Sequence, residues 1–120
     1  MLYNPSLIAT SDFVAASATA TTASLVTIPA SRYFCFEIQI SGSQSGLGTA
    51  TPAVTLKNTA GGTPGASVVV AELSITGVIG AVSGSSSNKT VVGYSGTTGA
   101  TLDFALNGAT ASCTIGGFLQ

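Results

Sequence analysis

The chain has 120 residues, a length that fits one compact domain, and only 6% of them are charged although 45% are apolar. Soluble domains usually carry about 25% charged residues, so large uncharged surface patches are expected, as in proteins that pack against other proteins. The net charge is −1 with three basic residues, so we expect neither nucleic acid nor an anionic membrane as a partner. No apolar run is long enough to predict a membrane-spanning helix.

Residues 1–23 differ in composition from the rest of the chain. Scattered apolar residues precede an Ala/Ser/Thr stretch that ends near Ala23, and we interpret this segment as an extended N-terminal arm. The side chains expected to bind a partner are Leu2, Tyr3, Leu7, Ile8 and Phe13. The same segment also fits an ordinary first strand laid across the domain, and the sequence leaves that alternative open.

Residues 24–120 are predicted to form one β-sandwich domain of about seven or eight short antiparallel strands. The clearest strand covers residues 33–41, where Phe34, Phe36, Ile38 and Ile40 alternate with polar residues and Cys35. Further strands are predicted at 24–28, 53–58, 67–76, 89–94, 101–106 and 110–115, with a short strand or bend at 78–82. Gly- and Ser-rich composition predicts exposed loops at 41–51 and 83–88 and a tail at 116–120.

The dipeptide Asn107-Gly108 separates the last two predicted strands. Because this pair favours the positive φ angles of a type I′ turn, we expect it to join the two strands as a hairpin.

The number and spacing of the strands predict an all-β fold with two packed sheets, arranged as in a jelly roll. One face of the alternating strands should form the core, comprising Phe34, Phe36, Ile38, Ile40, Val54, Leu56, Leu102, Phe104 and Leu106.

The residue types needed for common catalytic chemistry are missing or scattered. The chain has no His, which removes Ser-His-Asp catalysis and His-ligated zinc. Its four acids, Asp12, Glu37, Glu72 and Asp103, lie in separate segments and are interpreted as solvated or interface-facing carboxylates. We therefore expect no enzyme activity, no cofactor and no metal.

Two other features bear on function. Cys35 and Cys113 are the only cysteines, and the strand alternation places them on opposite faces, which favours two free thiols over a disulfide. The tyrosines at positions 3, 33 and 94 are far apart in the sequence, which gives little support for an aromatic sugar-binding platform.

The apolar N-terminal segment, the His-free and charge-poor composition and the short alternating strands together resemble small virion proteins of tailed bacteriophages. The resemblance is closest to capsid decoration, or cement, proteins. It implies a structural role on the virion after assembly in the host cytoplasm, binding to the major capsid protein or another virion protein, and a homo-oligomer, often a trimer.

Other functions also fit the sequence. A tail, fibre or head-completion component is the alternative among assembly proteins. A secreted adhesin or carbohydrate-binding module, with a surface hydrated by Ser, Thr and Gly, is the alternative from a different class.

Overall fold

The computed structural model describes residues 12–20, 22–57, 67–96 and 99–120, and these form strands, turns and no helix. No segment among them is therefore a helix that could cross a membrane. The described strands, in chain order, are β1 Asp12–Ala18, β2 Thr22–Ile28, β3 Tyr33–Ser45, β4 Gly48–Ala50, β5 Ala53–Lys57, β6 Ser67–Glu72, β7 Ile75–Gly77, β8 Val82–Tyr94, β9 Ala100–Ala105 and β10 Thr110–Leu119.

Eight of these strands form two antiparallel sheets. The first sheet has the order β1-β10-β3-β8 and the second sheet has the order β2-β9-β5-β6, while β4 and β7 pair separately. Buried apolar side chains from both sheets form a single cluster, so the sheets pack face to face. The predicted all-β sandwich is confirmed.

The chain alternates between the two sheets as it proceeds. It passes from β1 in the first sheet to β2 in the second and back to β3, and after β8 it crosses twice more through β9 to β10. This order is compatible with a jelly roll, which remains our interpretation of the topology.

Most of the predicted core is confirmed. Phe34, Phe36, Ile38 and Ile40 of β3 are buried in alternation with exposed residues. The second sheet contributes Val54, Leu102 and Phe104, which are fully buried. The other two predicted core residues, Leu56 and Leu106, are only partly buried and pack against the edge of this cluster.

Several core residues lie outside the predicted set. The tail predicted at 116–120 is wrong, because β10 runs to Leu119 and pairs along its length with β3, which buries the Leu119 side chain. The remaining additions include Ile28, Leu73, Ile75 and Ile115.

Part of the N-terminal segment belongs to the first sheet. Asp12–Ala18 forms β1, an edge strand that pairs antiparallel with β10. Residues 1–11 lie outside the described residues, and the division of the chain at residue 23 stays a prediction.

The exposed loops predicted at 41–51 and 83–88 are wrong over most of their length. Strands β3 and β8 continue through them as one ladder, in which Ser41 pairs with Ser86 and Gly42 with Ser85. Serine and glycine have low intrinsic strand preference. Here the Ser/Gly-rich end of β3 pairs with the Ser/Gly-rich part of β8, so the backbone groups of the two strands hydrogen-bond to one another.

The hairpin predicted at Asn107-Gly108 is also wrong, although the turn itself forms. Asn107 and Gly108 have φ angles of 48° and 93°, and the N–H of Ala109 donates to the carbonyl of Leu106 at 3.1 Å. The two flanking strands, however, belong to different sheets. The turn therefore carries the chain across the sandwich.

Candidate interaction surfaces

The acidic side chains of the described residues are dispersed. Glu37 is exposed on the first sheet and Glu72 is exposed on β6. Asp103 was predicted to be a solvated or interface-facing carboxylate, but its side chain is largely buried and its Oδ2 lies 3.2 Å from Nζ of Lys57. No group of three or more metal-ligating side chains occurs among the described residues.

The two cysteines occupy different environments. Cys35 is exposed on the outer face of the first sheet, Cys113 is buried in the core, and both are free thiols, as predicted. Burial raises the pKa of the Cys113 thiol from 9.0 to about 11, since the thiolate loses hydration inside the sandwich. Cys113 is thus a core side chain.

The outer face of the first sheet carries an aromatic row, which we define as Tyr33, Tyr94, Val92 and Phe118. Tyr33 and Tyr94 are directly opposite on β3 and β8, and their ring centroids are 4.6 Å apart. Cys35 of β3 lies between its two register partners, Val92 on β8 and Phe118 on β10. All four side chains of the row are exposed.

This pairing changes the interpretation of the tyrosines. Their separation in sequence suggested no aromatic platform, whereas the β3–β8 register brings Tyr33 and Tyr94 into contact. Sequence reasoning missed the pair because it depends on which strands are neighbours and in what register.

A shallow groove of about 450 Å³ lies beside the aromatic row, between β3 and β10. Glu37, Gln39 and Thr114 supply polar groups to it, and Phe118 lies at the apolar end. The floor includes Gly117, whose Cα is so close to the carbonyl oxygen of Cys35 that a Cβ there would clash. Glycine at this position therefore allows β10 to approach β3 closely.

A second apolar surface lies at one end of the β3–β8 ladder, where two connections meet. We call Leu47, Val78, Ile79 and Val82 the apolar tip; their exposed fractions range from 58% to 75%. Residues 46–47 connect β3 to β4 and residues 78–81 connect β7 to β8, and the pairs Gly48–Gly77 and Ser45–Val82 hold the two connections side by side.

The geometry of the second turn explains why its apolar side chains are exposed. The N–H of Ala81 donates to the carbonyl of Val78 at 3.3 Å, and Gly80 has a φ of 76°. A glycine with positive φ at the third position is typical of a type II turn. Ile79 consequently occupies the outer corner of the turn, where nothing in the described chain covers it.

Of the five predicted partner-binding residues, the structure describes the backbone of Phe13 alone. Leu2, Tyr3, Leu7 and Ile8 lie outside the described residues. The backbone of Phe13 lies in β1 opposite Phe118, so one predicted residue has a register position beside the aromatic row.

The apolar tip was missed in the sequence analysis. Its one visible signal is the run Val78-Ile79-Gly80-Ala81-Val82, in which apolar residues flank a glycine and the alternation of the neighbouring strands is absent.

Comparisons of the chain with protein families, curated proteins and solved structures gave no match.

Proposed function

We propose that this chain is a non-enzymatic structural protein that binds and stabilises a bacteriophage capsid shell as a decoration, or cement, protein. The observation that supports this function best is the apolar tip, four exposed aliphatic side chains where two connections lie side by side at one end of the β3–β8 ladder. The sandwich measures 54 × 35 × 21 Å. Its partner is an apolar groove on the major capsid protein or on another protein of the virion.

The tip has the composition of an interface centre. Fully burying a Val, Leu or Ile side chain contributes about 1.5–3 kcal/mol of favourable transfer free energy. Partial burial of four such side chains therefore exceeds the conformational-entropy cost of ordering a few side chains at the interface. Residues 38–56 and 73–88, which include both turns, contain no charged residue. Docking of the tip therefore desolvates no charge of this chain.

The experiment uses the purified protein and shells of the parent particle from which it has been removed. Binding is measured by cosedimentation, and bound copies are counted by gel densitometry. We expect saturation at hundreds of copies per shell, since a decoration protein covers a repeated site. A tail, fibre or head-completion component would saturate at few copies, and failure to bind the shell at all would exclude the proposal.

A pair of matched variants identifies the surface that binds. Ile79 and Val92 are 75% and 73% exposed, so Asp at either position perturbs folding little. Ile79→Asp, in the apolar tip, should weaken shell binding at least tenfold because it buries an unpaired carboxylate. Val92→Asp, in the aromatic row, should bind within twofold of the unsubstituted chain; the reverse result would place the contact on the outer face of the first sheet.

The predicted arm is tested separately. Deletion of residues 2–11 removes Leu2, Tyr3, Leu7 and Ile8 but stops before β1, which begins at Asp12. If the deletion abolishes shell binding while Ile79→Asp leaves it unchanged, the N-terminal segment is the docking element and the tip is not.

A carbohydrate-binding module is the second candidate function, favoured by one observation. Tyr33 and Tyr94 form an exposed aromatic pair close to the groove lined by Glu37, Gln39 and Thr114, and sugars bind to such combinations of ring faces and hydrogen-bonding groups. Glycan-array binding that Tyr33→Ala abolishes, together with no affinity for any shell, would support this function instead.

A further inference from the structure

We infer that the outer edge of β8 is an interface between two copies of this chain, in which the β8 strands pair antiparallel about a two-fold axis. The inference does not depend on shell binding. It starts from the geometry of the sheet edges, because an edge strand exposes backbone N–H and C=O groups that need partners.

Strand β8 is the longest edge strand of the described residues. It covers 13 residues, all paired to β3 without a register shift. The alternation of an antiparallel ladder directs about half of these residues' backbone groups away from β3. No described residue forms a backbone hydrogen bond with that side.

The usual protections against strand pairing are nearly absent from β8. Edges are commonly blunted by proline, bulges, charges or short length. Strands β2 and β6 have register shifts and β1 has only seven residues. Strand β8 has no proline, no bulge and one charge, Lys89.

The occupant is a second copy because the edge is self-complementary. Residues 83–87 are Ser and Gly only, so two β8 strands can approach without a steric conflict. Lys89 and Glu72, on β8 and β6, line one groove on this side of the sandwich. With the axis at Asn88, the midpoint of β8, two lysines and two glutamates gather near the axis, and their charges balance.

The dimensions predict a reversible dimer. At about 3.3 Å per residue the strand is roughly 43 Å long, and a two-sheet edge about 15 Å wide gives on the order of 600 Å² per copy. Standard interfaces bury about 800 Å² per partner. We therefore expect association in the micromolar range and measure it by sedimentation equilibrium from 1 to 200 µM.

The test introduces a charge at the axis. Asn88→Lys and Asn88→Glu each place like charges opposite one another, so each should weaken dimerisation at least tenfold. An equimolar mixture should restore it. Gln39→Lys is the matched control, since Gln39 pairs with Asn88 but lies on β3, inside the sheet; it should dimerise normally.

A covalent readout does not depend on the added charges. In a Cys35→Ser background, Asn88→Cys should form a disulfide-linked dimer on mild oxidation, because residues at the axis face themselves, and Gln39→Cys should not. A monomer at 200 µM, a trimer of the kind that the resemblance implies, or equal crosslinking at positions 39 and 88 would overturn the inference. Failure to bind shells by a protein that still dimerises would count only against the proposed function.

Discussion

The ring of Phe34 in β3 lies over the backbone of Gly93, its direct partner in β8. A Cβ built on Gly93 would be 2.6 Å from Cζ of Phe34. Phe34 is buried and stacks on Phe36 with ring centroids 5.6 Å apart, so its ring has little room to move. Glycine at position 93 therefore allows Phe34 to pack directly against the backbone of the edge strand β8.

Substitution of Gly93 by Ala should destabilise the protein by about 1–3 kcal/mol, the usual cost of overpacking a filled core. The measurement is urea unfolding followed by circular dichroism. Gly84→Ala is the matched control on the same strand, where the nearest atom to an added Cβ is the carbonyl oxygen of Gly42 at an ordinary 3.7 Å. Equal stability of the two variants would contradict the packing of Phe34 on Gly93.

Truncation of Phe36 tests the centre of the core. Phe36 is fully buried between the sheets, so Phe36→Ala should cost about 3–5 kcal/mol through lost transfer energy and a residual cavity. Cys35→Ala, one residue away but exposed on the outer face, should change stability by less than about 0.5 kcal/mol. A loss below 1 kcal/mol for Phe36→Ala would mean that the β3 register is shifted by one residue.

The fold was predictable where the sequence alternates. In β3, large apolar residues occupy every second position from Phe34 to Ile40, and a half-buried strand is the arrangement that buries all of them on one face. The serine- and glycine-rich ends of β3 and β8 lack that signal. Their strand structure depends on pairing with each other, which composition alone does not encode.

The surfaces were less predictable than the core. The contact of Tyr33 with Tyr94 depends on a pairing between residues 61 positions apart, and the apolar tip depends on two turns meeting through the Gly48–Gly77 pair. A local pattern identifies which residues face outward. It does not identify which outward residues become neighbours, because that depends on sheet order.

The turn that crosses the sandwich should be sensitive to substitution. Gly108 has a φ of 93°, a conformation that side chains disfavour, so Gly108→Ala should cost about 1–2 kcal/mol. Asn107 tolerates positive φ and its Nδ2 donates to the carbonyl of Thr51 at 2.7 Å. Asn107→Gly should therefore lose only the contribution of this exposed hydrogen bond, about 0.5–1.5 kcal/mol. Chemical denaturation compares the two variants, and a neutral Gly108→Ala would contradict the assigned turn.

The thiols should differ sharply in reactivity. At pH 8, Ellman's reagent should modify one thiol of the native protein, that of the exposed Cys35, and the second only after unfolding, because Cys113 is buried and its pKa is raised to about 11. Cys35→Ser should abolish the native reaction. Rapid modification of two thiols in the native protein would show that Cys113 is accessible.

Burial of Cys113 also predicts a loss of stability in alkaline solution. Its pKa is raised from 9.0 to about 11 by desolvation, so the folded state retains the thiol proton at a pH where the unfolded chain releases it. The contribution of Cys113 to the free energy of unfolding should therefore be nearly constant below pH 9 and should fall between pH 9 and 11. The loss at pH 10 should be about 1 kcal/mol. The measurement is the difference between the unsubstituted chain and Cys113→Ala, each unfolded in urea at pH 8 and pH 10, so that contributions from the rest of the chain cancel. Cys113→Ala should be less stable at pH 8 because it leaves a small cavity, and its stability should fall less on going to pH 10. Parallel losses in the two proteins would mean that the folded state does not suppress ionisation of Cys113.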